Sequence, residues 1–204
     1  LNIGYGNLTA NKLSGSATGK ITLNLEYGKG DVAELGDATI DVSYSKLFVE
    51  SAKDMNLVSK YSGLKLGKAA NIKANSKYDG LEVEQVNSLE AESKYTSVTI
   101  GELAKKLVLS NGYGGIRVDK ISDSFDEVNI TTSFGGVSLG FVTNAQYSLS
   151  AECGYCDIEY PQSKFKGNVE KSDFRKSIDG KIGNGNPTGK VTIKSKYGKI
   201  KIEE

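Results

Sequence analysis

The chain has 204 residues, 26 basic and 25 acidic side chains for a formal net charge of +1, and neither histidine nor tryptophan. Lack of histidine excludes a Ser-His-Asp triad, a papain-like Cys-His pair and any His-bearing zinc site, and balanced charge leaves no global field for nucleic acid or an anionic membrane. Twenty-four glycines against two prolines suit short strands joined by tight turns, and no apolar run approaches the roughly 18 residues of a membrane span.

The chain opens on Leu1-Asn2-Ile3-Gly4-Tyr5, mid-phrase and without an initiator methionine, as expected of a fragment whose leader is missing. From there an aromatic anchor recurs at Tyr5, Tyr27, Tyr44, Tyr61, Tyr78, Tyr95, Tyr113, Phe134, Tyr155 and Tyr197. The gaps are 22, 17, 17, 17, 17, 18, 21, 21 and 42 residues, the last being twice 21, as though one anchor were lost or one coil elaborated. A fixed period this short marks a stacked-repeat architecture.

Aligned on the anchor, the residues six and four places before it are apolar in every coil, from Ile21 and Leu23 to Val191 and Ile193, with Leu1 opening the second column. Two places before it the residue turns from aliphatic (Ile3, Leu25, Val42) to small and mostly polar (Ser59, Ser76, Ser93, Asn111, Thr132, Cys153, Ser195). This alternation predicts a strand with one buried face. After the anchor a two-residue break resets the phase, and a second, shorter strand follows with inward pairs from Leu47/Val49 to Ile158/Tyr160. A third inward column, eight residues after the anchor, runs from Leu13 to Val142.

These columns predict an all-β, single-stranded parallel β-helix, a β-solenoid of about ten coils of 17–21 residues. Handedness follows the right-handed rule for parallel crossovers. The chain reads as one domain, with regular coils over 1–160, an elaborated coil or loop over 161–190 carrying a short strand near 165–169, and a final coil over 191–204. Gly101–Leu109 could begin an amphipathic helix but aligns with its neighbours and is read as turn and strand. Since solenoid ends expose strand edges, end-to-end or edge association is expected.

Candidate sites lie on outward positions. Lys60, Lys77 and Lys94 precede successive anchors and should form a ladder, partly neutralised by Glu90 and Glu92 and with Lys73 opposite Glu90; it reads as a solvated face or a site for an acidic glycan. Phe48 should face outward in the second strand, either stacking on a sugar or packing under a loop. Alternation puts the tyrosine anchors on the inward side, stacked within the corner. Arg117 with Asp119, Asp123, Asp126 and Glu127 is the best constellation for polysaccharide cleavage, and reads more readily as a charged, solvated loop. Cys153 and Cys156 are spaced as two inert thiols, a local disulfide or a redox pair would be, with no βαβ context for the last. No metal site and no cofactor is expected.

The recurring Ser/Gly-x-Tyr-Gly/Ser-x-Ile/Leu-x-Val/Leu phrase, with Gly180–Gly185 and Val191–Ile202, resembles a bacterial adhesin-type family of unknown-function domains found notably in Bacteroidetes envelope proteins. The resemblance covers nearly the whole chain and implies a single-stranded β-helix, usually behind a secretion signal, with no catalytic residues to transfer. Tyr at the corner, where many relatives carry Ser-Gly, and the 161–190 elaboration depart from the simplest pattern. The expectation is a non-enzymatic exported module, periplasmic or at the cell surface, that binds a glycan or another envelope protein and no nucleic acid. The alternative is a carbohydrate-active β-helix of lyase or hydrolase type.

Overall fold

The computed structural model describes residues 1–15 and 19–204, and these form stacked parallel coils with no α-helix among the described residues. Each regular coil is a bent strand. In the middle of the rod it runs unbroken from one corner to the next, as in Lys46–Lys60, Gly63–Lys77 and Gly80–Lys94. The segment Gly101–Leu109 lies wholly within the strand Ser97–Tyr113, as its column alignment predicts.

The inward columns close into one apolar core. Ile40, Leu89, Ile100 and Leu107 are completely buried, and so are their counterparts Val128, Ile130 and Leu139 in the wider coils. In register, Leu57 pairs Ala74 and Ala74 pairs Ala91, so each column continues as a ladder along the rod. Leu1 is 57% exposed, and Ile3, Leu13 and Ile21 in the first rungs are only partly buried. Tyr160 also departs from its column: it is half-buried and meets Phe165 edge-on, ring centroids 5.0 Å apart.

The period lengthens from 17 to 21 residues where turns at 122–126 and 142–146 enlarge one corner. Phe125, Phe141 and Tyr147 fill it, with centroids 4.2 to 5.9 Å apart. The turn chemistry changes as well. Six tyrosine corners, Tyr5 to Tyr95, adopt φ between 49° and 60°, whereas Tyr113 does not and Gly114 takes φ +117° in its place. A Cβ on Gly114 would sit 2.2 Å from the Thr96 carbonyl oxygen, so only glycine fits there.

The number and order of coils differ from a simple stack of ten. The chain advances through about seven regular turns, carrying the anchors from Tyr5 to Phe134. It then skips a place. Tyr147–Cys153 pairs not with the preceding rung but with Gly189–Ser195, which in turn pairs with Glu127–Phe134 on its other side. Ile200–Glu203 likewise lies between Val137–Phe141 and Ile158–Glu159. The C-terminal coil is therefore inserted between two coils that precede it in sequence. The doubled gap of 42 residues is neither a lost anchor nor one enlarged coil. It is the length of chain that builds the terminal rung, turns back and fills the vacant place.

Between these elements, Phe165–Lys171 and Lys176–Ile182 form an antiparallel hairpin that pairs with Tyr147–Cys153 and covers the end of the rod. The strand expected near 165–169 is present, preceded by a single 3-10 turn at Gln162–Lys164. Lys176 anchors the hairpin: its Nζ donates to Asp157 Oδ1 and to the Ile158 carbonyl, both at 2.7 Å.

Candidate functional site

The tyrosine anchors do not face inward. Their rings are 37 to 83% exposed and stack in one ladder along an outer edge of the rod. Neighbouring centroids lie 4.5 to 5.0 Å apart from Tyr5 through Phe134, with planes within 19° of parallel. Tyr197 then stacks on Phe134 at 4.7 Å and Tyr155 on Tyr197 at 5.2 Å, and Phe174 tilts across the end. Strict alternation assumes β dihedrals throughout. Left-handed backbone at Tyr5 to Tyr95 breaks the alternation there and turns the side chain outward.

What the corner buries instead is polar. Asp79, beside the ladder, accepts from Ser59 Oγ at 2.7 Å, Ser76 Oγ at 2.6 Å, Lys77 N at 2.9 Å and Ser62 N at 2.7 Å. Ser62 and Ser45 occupy the same place one and two rungs away, and Ser45 Oγ accepts from Gly28 N while Ser62 Oγ accepts from Ser45 N. Four donors satisfy the buried carboxylate, which makes it a staple of the turn. The small polar residues two places before the anchor are the part of this network that the column pattern marks; their partners directly after the anchor carry no such mark.

Lysines line the ladder on both sides. Lys60, Lys77 and Lys94 stand in register one place before their tyrosines, and Lys29 and Lys46 two places after theirs. Lys60 Nζ lies 5.4 Å from the Tyr61 ring centroid, Lys94 Nζ 6.0 Å from that of Tyr95 and Lys196 Nζ 5.4 Å from that of Tyr197. The expected neutralisation by Glu90 and Glu92 does not occur. Glu90 sits instead between Lys106 at 2.9 Å and Lys73 at 3.8 Å, and the Lys106 hydrogen bond holds its carboxyl below the ordinary range.

That Glu90 cluster lies in an open groove of about 630 Å³ on the flank of the rod, floored by Ala74 and Ala91 and walled by Asn56, Asn75, Glu92 and Ser110. A second groove, about 660 Å³, runs along another edge past Lys68, Gln85, Glu102, Lys120 and Asp123. There Glu102 accepts from Lys120 Nζ at 2.8 Å and Gln85 Nε2 at 3.1 Å, so its charge too is matched within the chain.

The remaining candidates scatter. Arg117 pairs with Asp119 at 2.5 Å on an exposed strand, while Asp123 lines the second groove and Glu127 approaches Lys106 at 3.9 Å, so these groups do not converge. Phe48 is half-exposed in a sheet between Asp31 and Lys65, apart from the aromatic ladder. Cys153 and Cys156 are joined, with Cα atoms 5.5 Å apart, around the corner that carries Tyr155. No cluster of acidic residues or cysteines among the described residues is arranged to hold a metal ion. No protein-family model, curated protein or solved structure matches the chain.

Proposed function

We propose that this chain is an exported, non-enzymatic β-solenoid acting as an adhesin-type binding or scaffold module at a bacterial surface or in the periplasm. The observation that supports this reading is the division of labour within each coil. Inward columns are spent on one continuous core, and at the corner the anchors form an aromatic ladder flanked by the repeated Lys60, Lys77 and Lys94. A rod built this way offers long surfaces in place of a pocket. The Cys153–Cys156 link fits an oxidising compartment.

The test is fractionation of the source cell with the native protein epitope-tagged, followed by pull-down from its surface. Recovery in the envelope fraction with a bound glycan or envelope protein is the expected result. Cytoplasmic recovery without a partner would defeat it. Shortening of a polysaccharide by the purified chain, abolished in Asp119→Asn or Arg117→Gln, would favour the lyase or hydrolase alternative.

A further inference from the structure

We infer that the tyrosine ridge with its flanking lysines is a binding site for a linear acidic polysaccharide lying along the rod; this deepens the proposed binding role and rests on it. Three observations carry the inference. First, Lys29, Lys46, Lys60, Lys77, Lys94 and Lys196 have no carboxylate within ion-pair distance among the described residues. Lys60, Lys77 and Lys94 nevertheless stack in consecutive rungs, where like charges oppose one another directly. The flank treats its charges otherwise, alternating Lys73, Glu90, Lys106 and Glu127. Ammonium groups opposed directly in three consecutive rungs, with no carboxylate paired to them, are what a polyanion would relieve.

Second, the stack itself favours anions. An aromatic ring is negative on its faces and positive at its edge. With both faces of each internal ring covered by neighbours 4.5 to 5.2 Å away, what meets solvent is the positive edge and the phenol hydroxyl. Third, the same geometry selects among polyanions. Single-stranded nucleic acid is held by stacking bases on aromatic faces, and the internal rungs have none to give. Phenol hydroxyls at successive rungs from Tyr5 to Tyr113, with an ammonium group flanking each of Tyr27, Tyr44, Tyr61, Tyr78 and Tyr95, match a polymer whose units carry both acid groups and hydroxyls.

The experiment is calorimetric titration of the full chain with polygalacturonate, with neutral dextran and oligothymidylate in parallel. Two variants accompany it: Lys60→Gln/Lys77→Gln/Lys94→Gln on the ridge, and Lys53→Gln/Lys65→Gln/Lys68→Gln away from it with the same change of net charge. All six side chains are exposed, so both variants should keep the parental melting temperature. Polygalacturonate should bind; the ridge variant should bind about tenfold more weakly, and the off-ridge variant within about twofold of the parent. Equal losses in both variants, dextran binding as well as polygalacturonate, oligothymidylate binding as tightly or more tightly, or no polygalacturonate binding at all would each overturn the inference. Envelope recovery of a chain that fails this titration would leave the proposed binding role standing and reject only the ligand class.

Discussion

At Tyr78 the backbone stands at φ 60°, a conformation that costs an L-residue with a side chain roughly 1–2 kcal/mol, and the ring stacks at 4.8 Å on both neighbours. The two effects oppose each other and can be separated. Tyr78→Ala keeps the strain and loses two stacks, a cost of about 1–3 kcal/mol in urea unfolding. Tyr78→Gly loses the same stacks but relieves the strain, and should be less destabilised by about 0.5–1 kcal/mol. A glycine variant no better than alanine would remove strain from the account. Asp79 offers a second measurement. Alanine there leaves two backbone N–H groups without an acceptor and takes the shortest bond from two serine hydroxyls, which keep only the Ser59–Ser76 and Ser76–Thr96 contacts at 3.2 and 3.3 Å, for a loss of about 2–4 kcal/mol. Asp79→Ser should cost clearly less, because Ser45 and Ser62 occupy that place in neighbouring rungs; equal costs would show that the carboxylate is not the staple. Tyr147 is the opposite case. Its hydroxyl is buried without a partner, and burial, with a lesser push from Glu204, raises the phenol well above its ordinary pKa. Tyr147→Phe should therefore melt at the same temperature as the parent or higher, by differential scanning calorimetry.

The same residues explain what was legible in the sequence. Inward columns from Leu23 to Ile202 were readable because burial in a strand leaves a two-residue period that no local conformation disturbs. Alternation misplaces Tyr5 to Tyr95 because a single left-handed residue resets that period and leaves no compositional mark. Nothing in the sequence singles out Asp79, because a buried carboxylate and a solvated one look alike until their donors are known.

Among the elements, the hairpin Phe165–Lys171 and Lys176–Ile182 depends most visibly on charge. The Lys176 ammonium beside Asp157 holds that carboxyl below its ordinary value. A depressed carboxyl contributes its full stabilisation above its unfolded pKa and loses it as pH falls through the folded value. Hydrogen-exchange protection factors in Lys176–Ile182, taken against the intrinsic rate at each pH, should thus fall on acidification, and Lys176→Met should already be less protected at neutral pH and respond less to acid. A parent hairpin insensitive to acid would count against this anchor. The sequence hinted at this element through its break in alternation, but its antiparallel pairing with Tyr147–Cys153 could not be read, since Lys176–Ile182 carries no pattern distinguishing it from a parallel coil.

For the whole molecule, the inserted coil decides how the end of the rod is held. Val191, Ile193 and Ile200 are completely buried, and every backbone ladder from rung eight to the terminal rung passes through this coil. Deleting residues 189–204 should leave the coils up to Phe141 folded while residues 143–188 become sensitive to limited proteolysis. Uniform resistance, or loss of the entire fold, would show that the rod is not held together in this local way. Insertion was illegible because Leu149/Ala151 and Val191/Ile193 present the same apolar alternation, so the pattern alone does not say which of the two lies next to Glu127–Phe134.

That interchangeability has a kinetic consequence. While the chain folds, Tyr147–Cys153 is nearer in sequence to Glu127–Phe134 than its proper neighbour is, and loop closure favours the shorter connection. A species with the wrong coil docked would be compact, well hydrogen-bonded and one rung short, and it could mature only by undocking. Refolding from urea should then show a slow phase that is absent when the chain ends before residue 143, a delay set by the route that the chain takes through its own stack.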